Sequence, residues 1–262
     1  MADMAGNVAI VAAASGGLGK AIALRLAERG ADVVVCSRDE RRIEAAAEEI
    51  RDATGRTVLA VAADVSRAED ITRVIERALA IRGRIDTLVT NAGGPPSGSF
   101  EDFDDAAWLS AHEINLLSVV RFVRGVLPTM KSQRSGSIVN VISTSVKQPL
   151  PGLILSNTYR SAVVGMAKTV AEEMAPYGVR VNNIAPGRID TERVRSLDAI
   201  KAERTGVSLE EAKRQSAAAI PLGRYGEPRE FANVAAFLAS SEASYLTGVT
   251  LQVDGGLVRT LT

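Results

Sequence analysis

The chain has 262 residues, of which 46% are hydrophobic and only 4% aromatic, and its 31 Lys and Arg residues balance 31 Asp and Glu residues. A chain without net charge or a long basic run is a poor ligand for nucleic acid or for an anionic membrane surface. The single cysteine, Cys36, excludes an internal disulfide and predicts a reducing compartment. Residues 1–7 lack the pattern of a signal peptide, and no apolar run has the length of a membrane helix. We therefore expect a cytoplasmic protein without nucleic acid or membrane partners.

Short apolar runs alternate with helical patterns along most of the chain. The predicted strands are 8–14, 33–36, 58–62, 87–89, 136–142, 179–184 and 249–253, and the predicted helices are 20–29, 40–54, 69–82, 108–130 and 157–177. This β-α-β alternation predicts right-handed crossovers and a parallel sheet. We expect one α/β domain over residues 1–262, with a doubly wound parallel sheet of the Rossmann type. The polar segment 191–222 breaks the rhythm and is interpreted as a lid over a site.

A glycine-rich turn lies between the first predicted strand and the first predicted helix, and residues 12–19 read A-A-A-S-G-G-L-G. A strand–turn–helix unit of this type presents backbone N–H groups and a helix N-terminus to a pyrophosphate. Ser15 and Gly16 are expected to contribute a hydroxyl and N–H groups. A Cβ at Ala13 restricts the backbone there and can crowd a cofactor.

Ser37 and Arg38 follow the second predicted strand, where an acidic residue would bind the ribose hydroxyls of NAD. A small hydroxyl followed by a guanidinium fits the 2′-phosphate of NADP instead. We therefore expect NADP as the cofactor, with NAD as the alternative. The competing interpretation is that Arg38, with Arg41 and Arg42, only solvates the start of a helix.

Several ordered segments resemble the short-chain dehydrogenase/reductase family along nearly the whole chain. The glycine turn matches the last two glycines of T-G-x-x-x-G-x-G, with Ala12 and Ala13 in place of its opening Thr and Gly. P-G-R-I-D-T at 186–191 matches the family's P-G-x-I-x-T, and T-G at 247–248 and D-G-G at 254–256 also match. The resemblance implies a cofactor site that comprises, besides Ala13, Ser15, Gly16, Ser37 and Arg38, the residues Leu18, Asp64, Val65, Asn91, Ala92, Gly93, Pro186, Gly187 and Ile189.

The resemblance also implies an activity and an assembly. The activity is hydride transfer between NAD(P) and a small-molecule carbonyl or secondary alcohol, and 3-oxoacyl-carrier-protein reductases and sugar or polyol dehydrogenases look nearest. The assembly is a homotetramer, in which the predicted helices 108–130 and 157–177 pack against partner copies. Asn115 corresponds to the asparagine that holds a water relay in the family.

The catalytic segment departs from the family pattern of Ser, Tyr and Lys, in which the lysine lowers the tyrosine pKa from its ordinary value near 10. Ser143 matches the family serine. The run at 163–168 sets the register of the following helix. In that register Ser156 stands where the tyrosine is expected, and Arg160 stands where the lysine is expected.

Three hypotheses follow for this segment. In the first, Tyr159 acts as the acid/base, since it lies about one helical turn from Ser156, and Arg160 supplies a fixed charge. In the second, Ser143 and Ser156 hold a substrate and Arg160 binds an anionic group on it, while Lys147 either assists the weakly acidic serine hydroxyl or points into solvent. In the third, the domain binds nucleotide in a structural or sensing role without turnover, and Tyr159 is an interface residue. No cluster has metal-ligand spacing, so no metal is expected, and no catalytic role is expected for His112, the single histidine.

Overall fold

The computed structural model describes residues 3–261. Its strands are β1 (Val8–Ala12), β2 (Asp32–Ser37), β3 (Val58–Ala62), β4 (Thr87–Thr90), β5 (Gly136–Val141), β6 (Val179–Pro186) and β7 (Thr250–Val253). They form one seven-stranded sheet in the order β3-β2-β1-β4-β5-β6-β7, and every neighbouring pair is parallel. The predicted doubly wound α/β fold is confirmed.

Helices cover both faces of this sheet. They are α1 (Gly17–Glu28), α2 (Glu40–Thr54), α3 (Ala68–Arg82), α4 (Asp105–His112), α5 (Ser118–Gln133), α6 (Ile154–Met174), α7 (Glu192–Thr205), α8 (Leu209–Ala218) and α9 (Pro228–Ala239). The apolar sides of α1, α2 and α9 pack on one face of the sheet, and those of α3, α5 and α6 pack on the other.

The strands read as continuous apolar runs because both of their faces are buried. In β1, for example, Val8 and Ile10 belong to one core cluster, while Ala9 and Val11 belong to the cluster on the opposite face. Successive side chains of a strand point to opposite faces, so an alternating sequence would leave polar groups in one of the two cores. The composition, rich in small aliphatic residues and poor in aromatic ones, suits this two-layered packing.

The helix predicted over 108–130 is present and extends further at both ends, but a π-helical turn interrupts its α-helical hydrogen bonding. α4 ends at His112, a π-helical turn spans Glu113–Leu117, and α5 begins at Ser118. Asn115, inside this turn, is fully buried and donates from Nδ2 to the Ala111 carbonyl at 3.2 Å. A side chain that competes for a helical carbonyl in this way favours a local change of hydrogen-bonding pattern. Turns of this kind are frequent at functional sites.

Other helix boundaries also differ from the prediction. The helix predicted over 157–177 begins earlier, at Ile154, and gives way to a 3-10 turn over Ala175–Tyr177. α9 was not predicted, although Pro228 in its first turn and a capping box between Glu227 and Glu230 mark its start. The polar segment 191–222 contains α7 and α8. Within residues 3–261, no helix combines the length and the apolar character that a membrane crossing requires.

Candidate active site

The carboxyl ends of β1 and β4 mark the point where the strand order reverses. In open parallel sheets, ligands bind in the crevice outside the strands at this switch point. The glycine turn follows β1, and Asn91 follows β4, so the two meet there. Asn91 donates from Nδ2 to the Ala13 carbonyl at 3.3 Å, which links the two segments.

The glycine turn has the geometry of a phosphate cradle. Ala13 adopts a φ of 49°, in the left-handed region that favours glycine. A Cβ at Gly19 would collide with the Ala13 carbonyl oxygen, so the first turn of α1 needs glycine there. Gly16 precedes α1, and within the described residues no side chain caps this helix. Its first N–H groups therefore remain available to an anion, and the residues present fit a cofactor pyrophosphate.

The neighbouring residues of the turn have different surroundings. Ser15 is half-buried next to Gly16, and Leu18, in the first turn of α1, is partly buried against the core. Thr191, from the segment beyond β6, lies across the turn, because its Cγ2 atom is 3.6 Å from the position of a Cβ on Gly17. The cradle therefore has one wall from the polar segment 191–222.

Basic side chains follow β2 in the sequence. Among them, Arg42, on α2, approaches the glycine turn. Ser37 donates its hydroxyl to the Asp39 carbonyl at 3.3 Å, and Arg38 is exposed. Arg42 Nη2 lies 3.9 Å from the position of a Cβ on Gly16, and it forms an ion pair with Glu192 at 3.3 Å. From the sequence alone, Arg42 is expected only to solvate the start of a helix, because its approach to the glycine turn depends on how α2 packs.

The ends of β3 and β4 provide the next part of the crevice. The Asp64 carboxylate accepts from the N–H and the hydroxyl of Ser66 at 2.9 and 2.8 Å. Val65 packs partly buried against the core. Ala92 is buried, whereas Gly93 is exposed at the mouth of the crevice, with open space around the position of a Cβ.

Beyond β6, a tight turn at Pro186 and Gly187 is held against the end of β7. Gly187 donates to the Val253 carbonyl at 3.0 Å, and a Cβ there would meet Asp254 at 2.5 Å. Ile189 is buried and pairs with Gly226 in an isolated bridge. This close approach explains the glycine of P-G-x-I-x-T in physical terms.

Ser143 and Arg160 meet at the carboxyl end of β5. Ser143 caps the turn after β5, and its Oγ accepts from the Ser145 N–H at 3.1 Å. Arg160, on α6, is 5% exposed and donates to the Val141 carbonyl at 2.9 Å and the Ala92 carbonyl at 3.3 Å. Burial, together with the charge of Arg193, lowers the pKa of Arg160 to about 10, which leaves it charged at neutral pH.

Ser156 and Tyr159 have different surroundings on the same helix. Tyr159 donates its hydroxyl to the Trp108 carbonyl at 2.9 Å, and its ring lies 5.9 Å from that of Trp108 and 5.8 Å from that of His112. Burial raises the pKa of the Tyr159 phenol. Ser156 lies one turn before Arg160, and among residues 3–261 its hydroxyl has no hydrogen-bond partner.

The π-helical turn that contains Asn115 packs against α6. The Asn115 Oδ1 atom is buried and accepts no hydrogen bond from the described part of the chain. A buried polar atom of this kind is typically satisfied by ordered water. The geometry is therefore compatible with a water relay at Asn115.

Comparison with known proteins gives the family. Residues 12–258 match the family model described as enoyl-(acyl carrier protein) reductase. A dehydrogenase/reductase, SDR family member 4, of Homo sapiens is 37% identical over 254 residues, which cover 97% of this chain and 88% of that protein. The chain belongs to the short-chain dehydrogenase/reductase family. A 3-oxoacyl-(acyl-carrier-protein) reductase of Vibrio cholerae is 36% identical over 255 residues, with 97% and 98% coverage.

The solved structures agree with this assignment. L-sorbose reductase from Gluconobacter frateurii, complexed with NADPH and L-sorbose, superposes on this short-chain dehydrogenase/reductase with a TM-score of 0.94. The two chains are 32% identical, and the match covers 99% of each.

The sequence did not predict that one further basic residue of this short-chain dehydrogenase/reductase lies at the site. Arg193, in the first turn of α7, donates from Nη2 to the Pro95 carbonyl at 2.8 Å. Its guanidinium lies against Gly94, where the position of a Cβ is 3.0 Å from Nε. The motif P-G-x-I-x-T ends at Thr191, and only the packing of α7 across the crevice brings Arg193 to the loop after β4.

Proposed function

We propose that this protein is an NADP-preferring oxidoreductase that interconverts a carbonyl and a secondary alcohol, with Ser143, Ser156 and Arg160 as its catalytic group. The observation that carries the proposal is the position of Arg160. Its guanidinium donates to carbonyls at the ends of β4 and β5, beside Ser143 and inside the cofactor crevice. A fixed cation there stabilises negative charge that develops on a substrate oxygen.

The cofactor preference is supported by charge. Position 37 holds a serine and not a carboxylate, which would repel a 2′-phosphate; Arg38 follows it, and Arg42 lies near the glycine turn. The similar L-sorbose reductase is described as a complex with NADPH. When bound, the reduced nicotinamide supplies the hydride, and Asn91–Gly93, Pro186, Gly187 and Ile189 would hold it against Ser143.

The protein's own groups would handle the oxygen. The Ser143 Oγ already accepts from the Ser145 N–H, so its hydroxyl proton is free to be donated to a substrate oxygen. The Ser156 hydroxyl would donate a second hydrogen bond and pass its proton to the oxygen as the alcohol forms. A serine hydroxyl is a weak acid by itself, and the buried charge of Arg160 favours its anionic form during the transfer. Water held by Asn115 would restore the proton.

Tyr159 receives less support as the acid/base. Its hydroxyl donates to the Trp108 carbonyl, away from the two carbonyls that hold Arg160. Burial raises its pKa, which is the opposite of what an acid/base at neutral pH needs. We assign Tyr159 to the packing of α4 on α6.

The test compares Ser156→Ala with Tyr159→Phe, each of which removes one hydroxyl. Consumption of NADPH is followed with a panel of 3-oxo esters, ketoses and diketones, and NADPH binding is titrated by fluorescence. We expect Ser156→Ala and Ser143→Ala to lower kcat/KM by about 100-fold or more without changing NADPH affinity. Tyr159→Phe is expected to stay within about threefold of wild type, since its ring still packs.

Other outcomes of this test would support a different acid/base or a different function. If Tyr159→Phe abolishes turnover and Ser156→Ala does not, the tyrosine is the acid/base. If NADPH binds tightly but no carbonyl or alcohol is turned over, the protein is a nucleotide-binding member of the family with a structural or sensing role. The remaining inferences, a cytoplasmic location and a homotetramer, rest on the single cysteine and on the family.

A further inference from the structure

The side chain of Arg193 enters the crevice from the segment opposite the catalytic helix. It donates to the Pro95 carbonyl at 2.8 Å and lies against Gly94, so it faces the loop that continues from Asn91–Gly93. Gly94 permits this approach, because a Cβ there would be 3.0–3.2 Å from three guanidinium atoms. Arg193 therefore reaches the same side of the crevice as the Ala92 carbonyl that Arg160 holds.

No carboxylate neutralises these two guanidiniums within residues 3–261. The acidic neighbours of Arg193 in sequence are engaged elsewhere, since Glu192 pairs with Arg42 at 3.3 Å and Asp190 pairs with Arg195 at 2.9 Å. The charge of Arg193 contributes to the lowered pKa of Arg160, and partial burial lowers the pKa of Arg193 itself. Two positive charges thus lie along the loop after β4, that of the buried Arg160 and that of the more exposed Arg193.

Such an arrangement is unfavourable by itself and becomes favourable when an anion lies between the charges. A guanidinium offers two parallel N–H groups, which match the two oxygens of a carboxylate. Arg160 has committed N–H groups to two carbonyls, whereas Arg193 has only the Pro95 carbonyl, a contact that it can exchange for a ligand.

We infer that the substrate of this enzyme carries a carboxylate, which Arg193 binds directly and which Arg160 attracts as a fixed charge behind it. The inference rests on the proposed function, because the carboxylate belongs to the molecule whose carbonyl reacts at Ser143. Arg160 is anchored at Val141, two residues before Ser143. We take the substrate class to be a short oxo acid or the corresponding hydroxy acid, because Arg160 contacts both the Val141 carbonyl near Ser143 and the Ala92 carbonyl of the loop that Arg193 also contacts.

The experiment measures discrimination between acids and their neutral esters with NADPH present. The pairs are pyruvate and methyl pyruvate, acetoacetate and methyl acetoacetate, and levulinate and methyl levulinate. Wild type is expected to prefer at least one acid over its ester by about tenfold or more in kcat/KM. Arg193→Gln is expected to lower that ratio about tenfold, while the ester rate stays within threefold. Arg204→Gln is the matched control, since it removes an exposed arginine near the end of the same helix.

A binding measurement separates this inference from the proposed function. Calorimetric titration of the NADP-loaded protein with succinate, an unreactive dicarboxylate, needs no turnover. If succinate binds to wild type and to Arg204→Gln but not to Arg193→Gln, while no carbonyl is reduced, the anion site stands and the proposed function fails.

The inference is overturned if esters are reduced as well as acids in every pair, in which case the reductase activity still stands. It is also overturned if Arg193→Gln weakens NADPH binding without changing the acid-to-ester ratio, because the arginine then serves the cofactor. Tighter competition by inorganic phosphate than by succinate would replace the carboxylate with a phosphorylated substrate. Absence of both turnover and succinate binding overturns the inference together with the proposed function.

Discussion

At the scale of single residues, Ala13 shows how the chain accepts a local cost in order to build the cradle. Its φ of 49° is one that an L-residue reaches at a cost of about 1–2 kcal/mol. The surrounding contacts hold it there, because its carbonyl accepts from Asn91 and lies against Gly19. Backbone strain that is held in place by its neighbours is typical of binding sites.

Replacing Ala13 with glycine should remove this cost. Glycine loses about 0.5–1 kcal/mol more conformational entropy on folding, so we expect Ala13→Gly to raise the free energy of unfolding by up to about 1 kcal/mol. Urea unfolding measures the change. Ala14→Gly is the control, since Ala14 is buried without a positive φ and its replacement should destabilise the protein. A loss of stability in Ala13→Gly would contradict this explanation of the turn.

Arg160 differs from a lysine at the same position in how it keeps its charge. Its pKa of about 10 leaves it protonated at neutral pH despite its burial. A lysine starts lower, near 10.4, and the same burial and the same neighbouring Arg193 would lower its pKa further. A cation with a lowered pKa loses its charge as the pH rises.

We therefore expect kcat of Arg160→Lys to fall as the pH rises from about 7 to 9, whereas kcat of the wild type should stay constant over that range. The profile of kcat against pH is the measurement. Arg124→Lys, an exposed substitution on α5, should leave the profile unchanged. A flat profile for an active Arg160→Lys variant would show that the charge at this position takes no part in the reaction.

At the scale of elements, the segment 191–222 is anchored by a buried polar cluster. Asp198, on α7, is 1% exposed and accepts from Arg188 Nη1 at 2.6 Å and from the Tyr225 hydroxyl at 2.8 Å. Arg188 lies within the tight turn after β6, so the cluster ties α7 to the cofactor wall. We propose that the segment closes over the site as a lid and that this cluster acts as its anchor.

Asp198→Asn should loosen the segment more than the rest of the protein. The amide keeps the shape but loses the charge that Arg188 faces in a buried site, a change that costs several kcal/mol locally. We expect faster proteolytic cleavage within 191–222 and a higher KM for the substrate. Glu211→Gln removes an exposed ion pair with Arg214 on the same segment and should change neither measurement. Equal cleavage rates in the two variants would argue against Asp198 as the anchor.

At the scale of the whole molecule, the proposed homotetramer requires exposed apolar surface on the helices before and after β5. Leu109, on α4, is 65% exposed, and a partner copy would cover it in the proposed tetramer. We expect sedimentation at micromolar concentration to give a tetramer, and Leu109→Asp to give a smaller species that remains folded. Leu209→Asp, at an exposed position on α8, is the control. A monomeric wild type would refute the assembly.

The sequence by itself determined the sheet, the cradle and the family. Buried parallel strands are visible as apolar runs, and turns such as those at Gly16 and Gly187 have local signatures, because both depend on residues close together in the chain. It also predicted that Ser156 and Arg160 depart from the family pattern while Ser143 matches it, since the register of Ser156 and Arg160 follows from neighbouring residues on one helix.

Only the tertiary structure decided what those residues face. Two features of the site depend on contacts between segments far apart in sequence: Tyr159 donates to the Trp108 carbonyl, and Arg193 meets the loop after β4. No periodicity reports such contacts, because they arise when packed helices bring side chains over the sheet. The chemistry of the crevice, where no carboxylate of residues 3–261 neutralises Arg160 and Arg193, belongs to that level of structure.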